Sequence, residues 1–145
     1  RQMVEHHRVV GGNLVAVEEI PSEQTKSYGI LDIDRDEGHL IRARGLVEKP
    51  SPEKSPSTLG IIGRYILEPI VLTVLEHQER GTGNEIQLTD AMAKTIGLIP
   101  FHGIRFDGRR FDCGSKVGYL EANLAYALSR EDLRDRVASM LERIR

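Results

Sequence analysis

Gly45-Leu46-Val47-Glu48-Lys49-Pro50 is an apolar run that ends in an acid, a base and a proline, the pattern of a buried strand that stops at a site. Proline cannot extend a central ladder and biases the residue before it toward an extended backbone, so Glu48 and Lys49 are expected at the carboxyl end of the strand, with Lys49 extended. Ligands bind outside that end in open α/β sheets. An acid and a base that close a strand are also what a solvated pair looks like, and their company in the chain has to decide between the two.

Upstream, residues 1–9 mix polar and apolar side chains and stop at Gly11-Gly12-Asn13, the punctuation of a helix end. The glycine pair is no phosphate loop, because no lysine-serine or lysine-threonine follows and a strand comes next. Leu14-Val15-Ala16-Val17 is short and continuously apolar, as expected of a strand covered on both faces in a parallel or mixed sheet. Tyr28 to Ile33 reads as another strand, with Gly29 where something approaches the backbone or where the strand bulges. Asp32, Asp34 and Asp36 alternate, but Glu37 and Ala43 occupy the positions where a calcium loop needs glycine and glutamate. Asp34 to Gly38 is instead predicted to be a hairpin turn that leads through Leu40-Ile41 into the Glu48 strand.

Downstream, Pro50, Pro52 and Pro56 with interspersed charges predict an exposed loop. Leu59 to Leu67 returns to strand composition, and its glycines Gly60 and Gly63 are costly there unless a ligand or another backbone needs the room. Glu68-Pro69 opens a helix that should end before Gly81. The Gly83 to Asp90 stretch leads into a second helix with Leu88, Ala91, Met92 and Ile96 on its apolar face, stopped by Gly97; Glu85 and Asp90 are read as capping and loop-pinning groups. Ile99 to Phe106 is predicted to be a strand and Asp107-Gly108 a turn. A helix from Ser115 presents Val117, Leu120, Leu124 and Leu128, and Ser129 to Asp132 is the expected cap of a last helix carrying Leu133, Val137, Met140, Leu141 and Ile144. That apolar stripe covers either its own domain or another subunit.

The totals bound the function. The 145 residues suffice for one domain; a net charge of -2 and a pI near 6.2, with no arginine-rich run, argue against nucleic acid as a partner. The single Cys113 cannot form an internal disulfide, no apolar run approaches membrane-spanning length, and a reduced, cytoplasmic compartment fits best. The chain starts at Arg1 with neither methionine nor a signal-peptide pattern and reads as a cut. GxSxG and HExxH motifs are missing, and the five histidines do not fall at ligand spacing.

Four ordered motifs carry a resemblance: Gly45 to Pro50, Leu59-Gly60-Ile61-Ile62-Gly63-Arg64-Tyr65, Gly83-Asn84-Glu85-Ile86-Gln87-Leu88-Thr89-Asp90, and Phe111-Asp112-Cys113-Gly114-Ser115-Lys116. From about Gly12 to about Leu128 the chain resembles the C-terminal half of bacterial UTP-glucose-1-phosphate uridylyltransferases, within the sugar-phosphate nucleotidyltransferase superfamily. The resemblance implies an α/β fold, part of a Rossmann-like nucleotidyltransferase domain with a mixed, mostly parallel sheet flanked by helices and with C-terminal helices. It implies that residues 1–145 are the sugar-phosphate-binding portion of that domain, with 115–145 a helical tail and the nucleotide-binding half elsewhere.

The implied activity is uridylyl transfer from UTP to glucose 1-phosphate with Mg2+ as cofactor, in a homo-oligomer. Residue by residue, Glu48 matches the acid that accepts sugar hydroxyls, Lys49 the lysine on the sugar phosphate, and Asp112 one of two aspartates on the magnesium ion. Gly29 and the Ile61, Ile62 and Gly63 backbone match the sugar-binding wall, and Lys116 falls in the right motif. Thr58 and Ser115 stand where the family commonly has asparagine. Two alternatives stay open: a pyrophosphorylase for another sugar or base, and a non-catalytic sugar-phosphate-binding or assembly module. On the catalytic reading the 145 residues alone are expected to be inactive.

Overall fold

The computed structural model describes residues 1–80 and 84–144, so Gly83, where a motif was placed to begin, and the last residue, Arg145, lie outside the described residues, while the helix expected to end before Gly81 closes at Glu76. Two compact units emerge, Arg1–Phe106 and Asp107–Arg145, where composition alone suggested one domain.

The first unit is built on a sheet of five strands: β1 (Asn13–Glu19), β2 (Gly29–Asp36), β3 (Leu40–Glu48), β4 (Leu59–Ile66) and β5 (Phe101–Arg105). Their order is β1-β4-β2-β3-β5, with β5 returning to β1. Helices α1 (Gln2–Val10), α2 (Ile70–Glu76) and α3 (Leu88–Thr95) flank it. The mixed α/β architecture is as expected, but the balance of directions within these strands is not mostly parallel. Only β1 with β5 is parallel; β1 with β4, β2 with β3, β2 with β4 and β3 with β5 are antiparallel. An apolar run signals burial on both faces, and face burial carries no information on the direction of the paired strands, here β4 and β5.

Side-chain alternation divides the interior. Val15 and Val17 join a cluster with Leu31, Ile41, Leu59, Ile61 and the helix residues Val71, Ala91 and Met92. Leu14 and Ala16 point the other way, to Ile104, Met3 and Ile62. The buried Asn13 links three elements: its Nδ2 donates to Thr95 Oγ1 (2.9 Å) and its Oδ1 accepts from the Glu68 amide (2.8 Å). The predicted hairpin forms between β2 and β3, with Gly38 at φ 84 and its amide bonded to Asp36 Oδ1 at 2.9 Å.

In the second unit, α4 (Lys116–Ser129) begins at Ser115, whose Oγ accepts from the Gly118 amide at 3.0 Å. The last helix, α5 (Arg134–Ile144), starts later than its expected cap. Ser129 closes α4, and Arg130 pairs with Asp132 at 2.7 Å within the intervening turn. Val117 and Leu120 are 75% and 61% exposed, while Leu124, Leu128, Leu133, Val137 and Leu141 are part-buried, so the predicted apolar stripes are covered only in part. Among the described residues no helix is long and apolar enough to cross a membrane.

Candidate functional site

β3 ends at Glu48, as the sequence predicts, and its last rung pairs Glu48 with Gly29 of β2. Lys49 then departs from expectation: its φ is 47, left-handed and not extended. Its amide still donates to the Tyr28 carbonyl (2.9 Å), and the buried Pro50 has its carbonyl bound by Thr25 Oγ1 (3.1 Å). These two anchors override the local preference of a residue before proline. Sparsely populated backbone of this kind persists only where surroundings impose it, and it clusters at functional sites. The turn sets Lys49 Nζ 3.4 Å from Glu48 Oε1, with the Glu48 side chain only 10% exposed and the Lys49 side chain 44% exposed. A nearly buried carboxylate beside a reachable ammonium is a pair that can accept hydroxyls and hold a phosphate.

Around the pair, Gly29 is where the close approach occurs: a Cβ there would lie 3.0 Å from Thr89 Oγ1 and 3.2 Å from Glu48 Oε2. On β4, Gly63 has φ 73 and open space around it, and the register against β1 slips between Val15 and Val17, so a bulge centres on this glycine. Ile61 packs in one cluster and Ile62 in the other, which leaves the backbone of this segment as what it can present. Gly60 answers a different need, since its Cβ position is 3.0 Å from Ile20 Cδ1. Tyr65 follows the bulge; burial and then the Glu48 charge push its phenol above the ordinary value. Thr89 and Tyr65 received no role from the sequence, although both fall inside motifs quoted from it. Thr58, one of the departures from the family pattern, donates to Glu19 Oε2 at 2.7 Å. Glu85 accepts from Gln87 Nε2 (3.1 Å), a loop-pinning contact, while α3 has no side-chain cap.

In the second unit, Asp112 heads an exposed turn: its Oδ1 accepts from the Gly114 amide (3.1 Å) and its carbonyl from Ser115 Oγ (3.1 Å). Lys116 is the first residue of α4 and is exposed. A hard carboxylate oxygen at a water-facing turn suits magnesium, which takes one or two carboxylates from a protein and completes its shell with water and phosphate. Among the described residues no group of three or more acidic, histidine or cysteine side chains gathers for a metal.

Comparison with known proteins gives a family. A family model described as nucleotidyl transferase matches residues 1–129. A UTP–glucose-1-phosphate uridylyltransferase of Komagataeibacter xylinus is 59% identical over 116 residues, which is 80% of this chain and 41% of that protein. The similarly named YngB of Bacillus subtilis is 37% identical over 98% of this chain and 48% of its own length. Among solved structures, a UDP-glucose pyrophosphorylase complexed with UDP-glucose aligns with a TM-score of 0.81 at 37% identity, covering 89% of this chain and 49% of that one. A UTP-bound enzyme of the same kind from Acinetobacter baumannii aligns at 0.84 and 32% identity, over 99% of this chain and 50% of its own. The chain spans about half the length of the curated relatives it matches.

Proposed function

The chain belongs to the nucleotidyl transferase family, and from that premise we propose that it carries the sugar-phosphate side of a uridylyltransferase acting on UTP and glucose 1-phosphate. A phosphate oxygen of glucose 1-phosphate attacks the α-phosphorus of UTP, the bond to the β-phosphate oxygen breaks, and UDP-glucose and pyrophosphate result. The nucleophile is already an anion, so no general base is required; alignment of two polyanions and neutralisation of their charge are the tasks.

Glu48 accepts hydrogen bonds from sugar hydroxyls, its burial strengthening them, and the Lys49 ammonium holds the sugar phosphate. Gly29 and the backbone of Ile61, Ile62 and Gly63 form the wall against the sugar, with Lys116 a further phosphate-facing cation. Asp112 donates to a magnesium ion, which when bound spreads the phosphate charge. The reading includes a reduced, cytoplasmic setting and self-association through the uncovered faces of α4 and α5.

The observation that carries this proposal is the Glu48-Lys49 pair, held at a strand end by a left-handed turn. Its test is pyrophosphate release from UTP and glucose 1-phosphate, with magnesium, by the full gene product. Glu48→Ala is expected to lower kcat/KM for glucose 1-phosphate by about 2 kcal/mol, the worth of a charged hydrogen bond. Lys49→Ala is expected to lower kcat along with kcat/KM, and Lys49→Arg to restore little, because a guanidinium fork is longer and differently shaped. Wild-type kinetics in Glu48→Ala, or full rescue by arginine, would return the pair to a solvated surface role.

A further inference from the structure

Lys49 is held in its left-handed turn from both sides by one short segment of chain. The 3-10 helix Ser22–Ser27 precedes β2, and within it Thr25 is fully buried. The Thr25 carbonyl accepts from the Tyr28 amide (3.1 Å), and the Tyr28 carbonyl in turn accepts from the Lys49 amide (2.9 Å). Thr25 Oγ1 donates to the Pro50 carbonyl (3.1 Å), sharing its proton with the Ser22 carbonyl (2.9 Å). Thr25 thus fixes the backbone on either side of Lys49, and with the Pro50 φ locked by its ring few torsions remain free between the two anchors. The φ of 47 at Lys49 is what those anchors leave, in place of the extended backbone that a residue before proline prefers.

We propose that Thr25 is a positioning residue for the phosphate contact of Lys49, its buried hydroxyl holding the turn that carries the ammonium to the Glu48 site. The proposal rests on the reading of Lys49 as the cation on the sugar phosphate. Lys49 Nζ lies 3.4 Å from Glu48 Oε1 while its side chain is 44% exposed, and a stem so open to water is placed by its backbone more than by packing. Without the hydroxyl, the carbonyl of the buried Pro50 is left short of a donor. The chain relieves that cost by turning the peptide toward water and letting Lys49 relax to extended backbone. Relaxation redirects the side chain and takes Nζ off the phosphate, and a misplacement of about 1 Å is enough to slow a reaction that depends on alignment.

The test measures kcat and KM of the full gene product for glucose 1-phosphate and for UTP in wild type, Thr25→Val, Thr25→Ser, Lys49→Ala, and Thr25→Val combined with Lys49→Ala. Thr25→Val keeps the shape and loses the hydroxyl; it is expected to lower kcat by about tenfold with KM for UTP unchanged, and Thr25→Ser to recover most of that loss. On the Lys49→Ala background Thr25→Val should change kcat by no more than about twofold, because the charge it positions is gone. A purely structural role would lower kcat by the same factor on both backgrounds. That outcome, an equal loss in Thr25→Ser, or no loss in Thr25→Val would overturn the assignment. Thr25→Ala makes the same comparison if the valine variant does not fold. Lys49→Ala alone separates the two readings: wild-type kinetics there remove the phosphate contact itself, while a Lys49 effect without a Thr25 effect removes only Thr25.

Discussion

Lys49 adopts a left-handed backbone immediately before a proline, a conformation that costs on the order of 1–3 kcal/mol and has to be imposed by its neighbours. Its placement at a strand end was legible because proline punctuates an apolar run, but its φ was not, since the Tyr28 and Thr25 anchors come from elsewhere in the chain. Thr89 and Tyr65 escaped for the same reason: tertiary contacts, not local pattern, bring them to Glu48. His102 is a residue whose consequence is measurable in solution. Its Nδ1 is buried without a partner among the described residues, and burial, then the charge of Arg42, hold its pKa below the ordinary value against the opposing pull of Glu37. A histidine in the unfolded chain titrates near about 6.5, so as pH falls through that value the unfolded state takes up the proton first and stability is lost. Thermal unfolding at about pH 7.5 and about pH 5.5 should show a larger acid loss in wild type than in His102→Gln. Equal losses would assign the acid sensitivity to other groups.

At the scale of elements, the features with a local signal appeared where the sequence placed them. The hairpin between β2 and β3, the β4 strand with its costly glycines and the helix start at Ser115 all follow from period or turn chemistry. Strand direction did not, because β1 is equally buried against an antiparallel β4 and a parallel β5. The start of α5 also moved, since Arg130 spends its guanidinium on Asp132 within the turn. Asn13 is the element-scale junction that no periodicity announces: a fully buried amide ties β1 to the start of α2 and the end of α3. Asn13→Ala leaves the Glu68 amide without its acceptor and is expected to cost about 1–3 kcal/mol, read from the midpoint of urea unfolding at unchanged m-value. A shift below a few tenths of a kcal/mol would mean that water replaces the side chain there.

On the proposed reading, the chemistry of this chain serves one partner of the reaction. The described residues place the Glu48-Lys49 pair in one compact unit and Asp112 with Lys116 in the other, and they gather no cluster of acids for a metal. Magnesium bound through a single carboxylate is held weakly unless further carboxylates and substrate phosphates complete its shell. Among the described residues no glycine-rich loop runs directly into a helix, the device that cradles nucleotide phosphates with backbone amides; the glycine pair Gly11-Gly12 leads into β1. On the proposed reading, such a chain carries groups for glucose 1-phosphate and not those for UTP. These 145 residues, purified alone, are therefore expected to release no pyrophosphate from UTP and glucose 1-phosphate with magnesium. Turnover should appear when the amino-terminal half of a relative is supplied, in the same chain or as a separate one. Saturable binding of glucose 1-phosphate by the 145 residues, weakened by Glu48→Ala, should survive without that half, because the proposed sugar contacts lie within β2, β3 and β4. Robust turnover by the 145 residues alone would show that the nucleotide and metal sites are built from groups other than those assigned here.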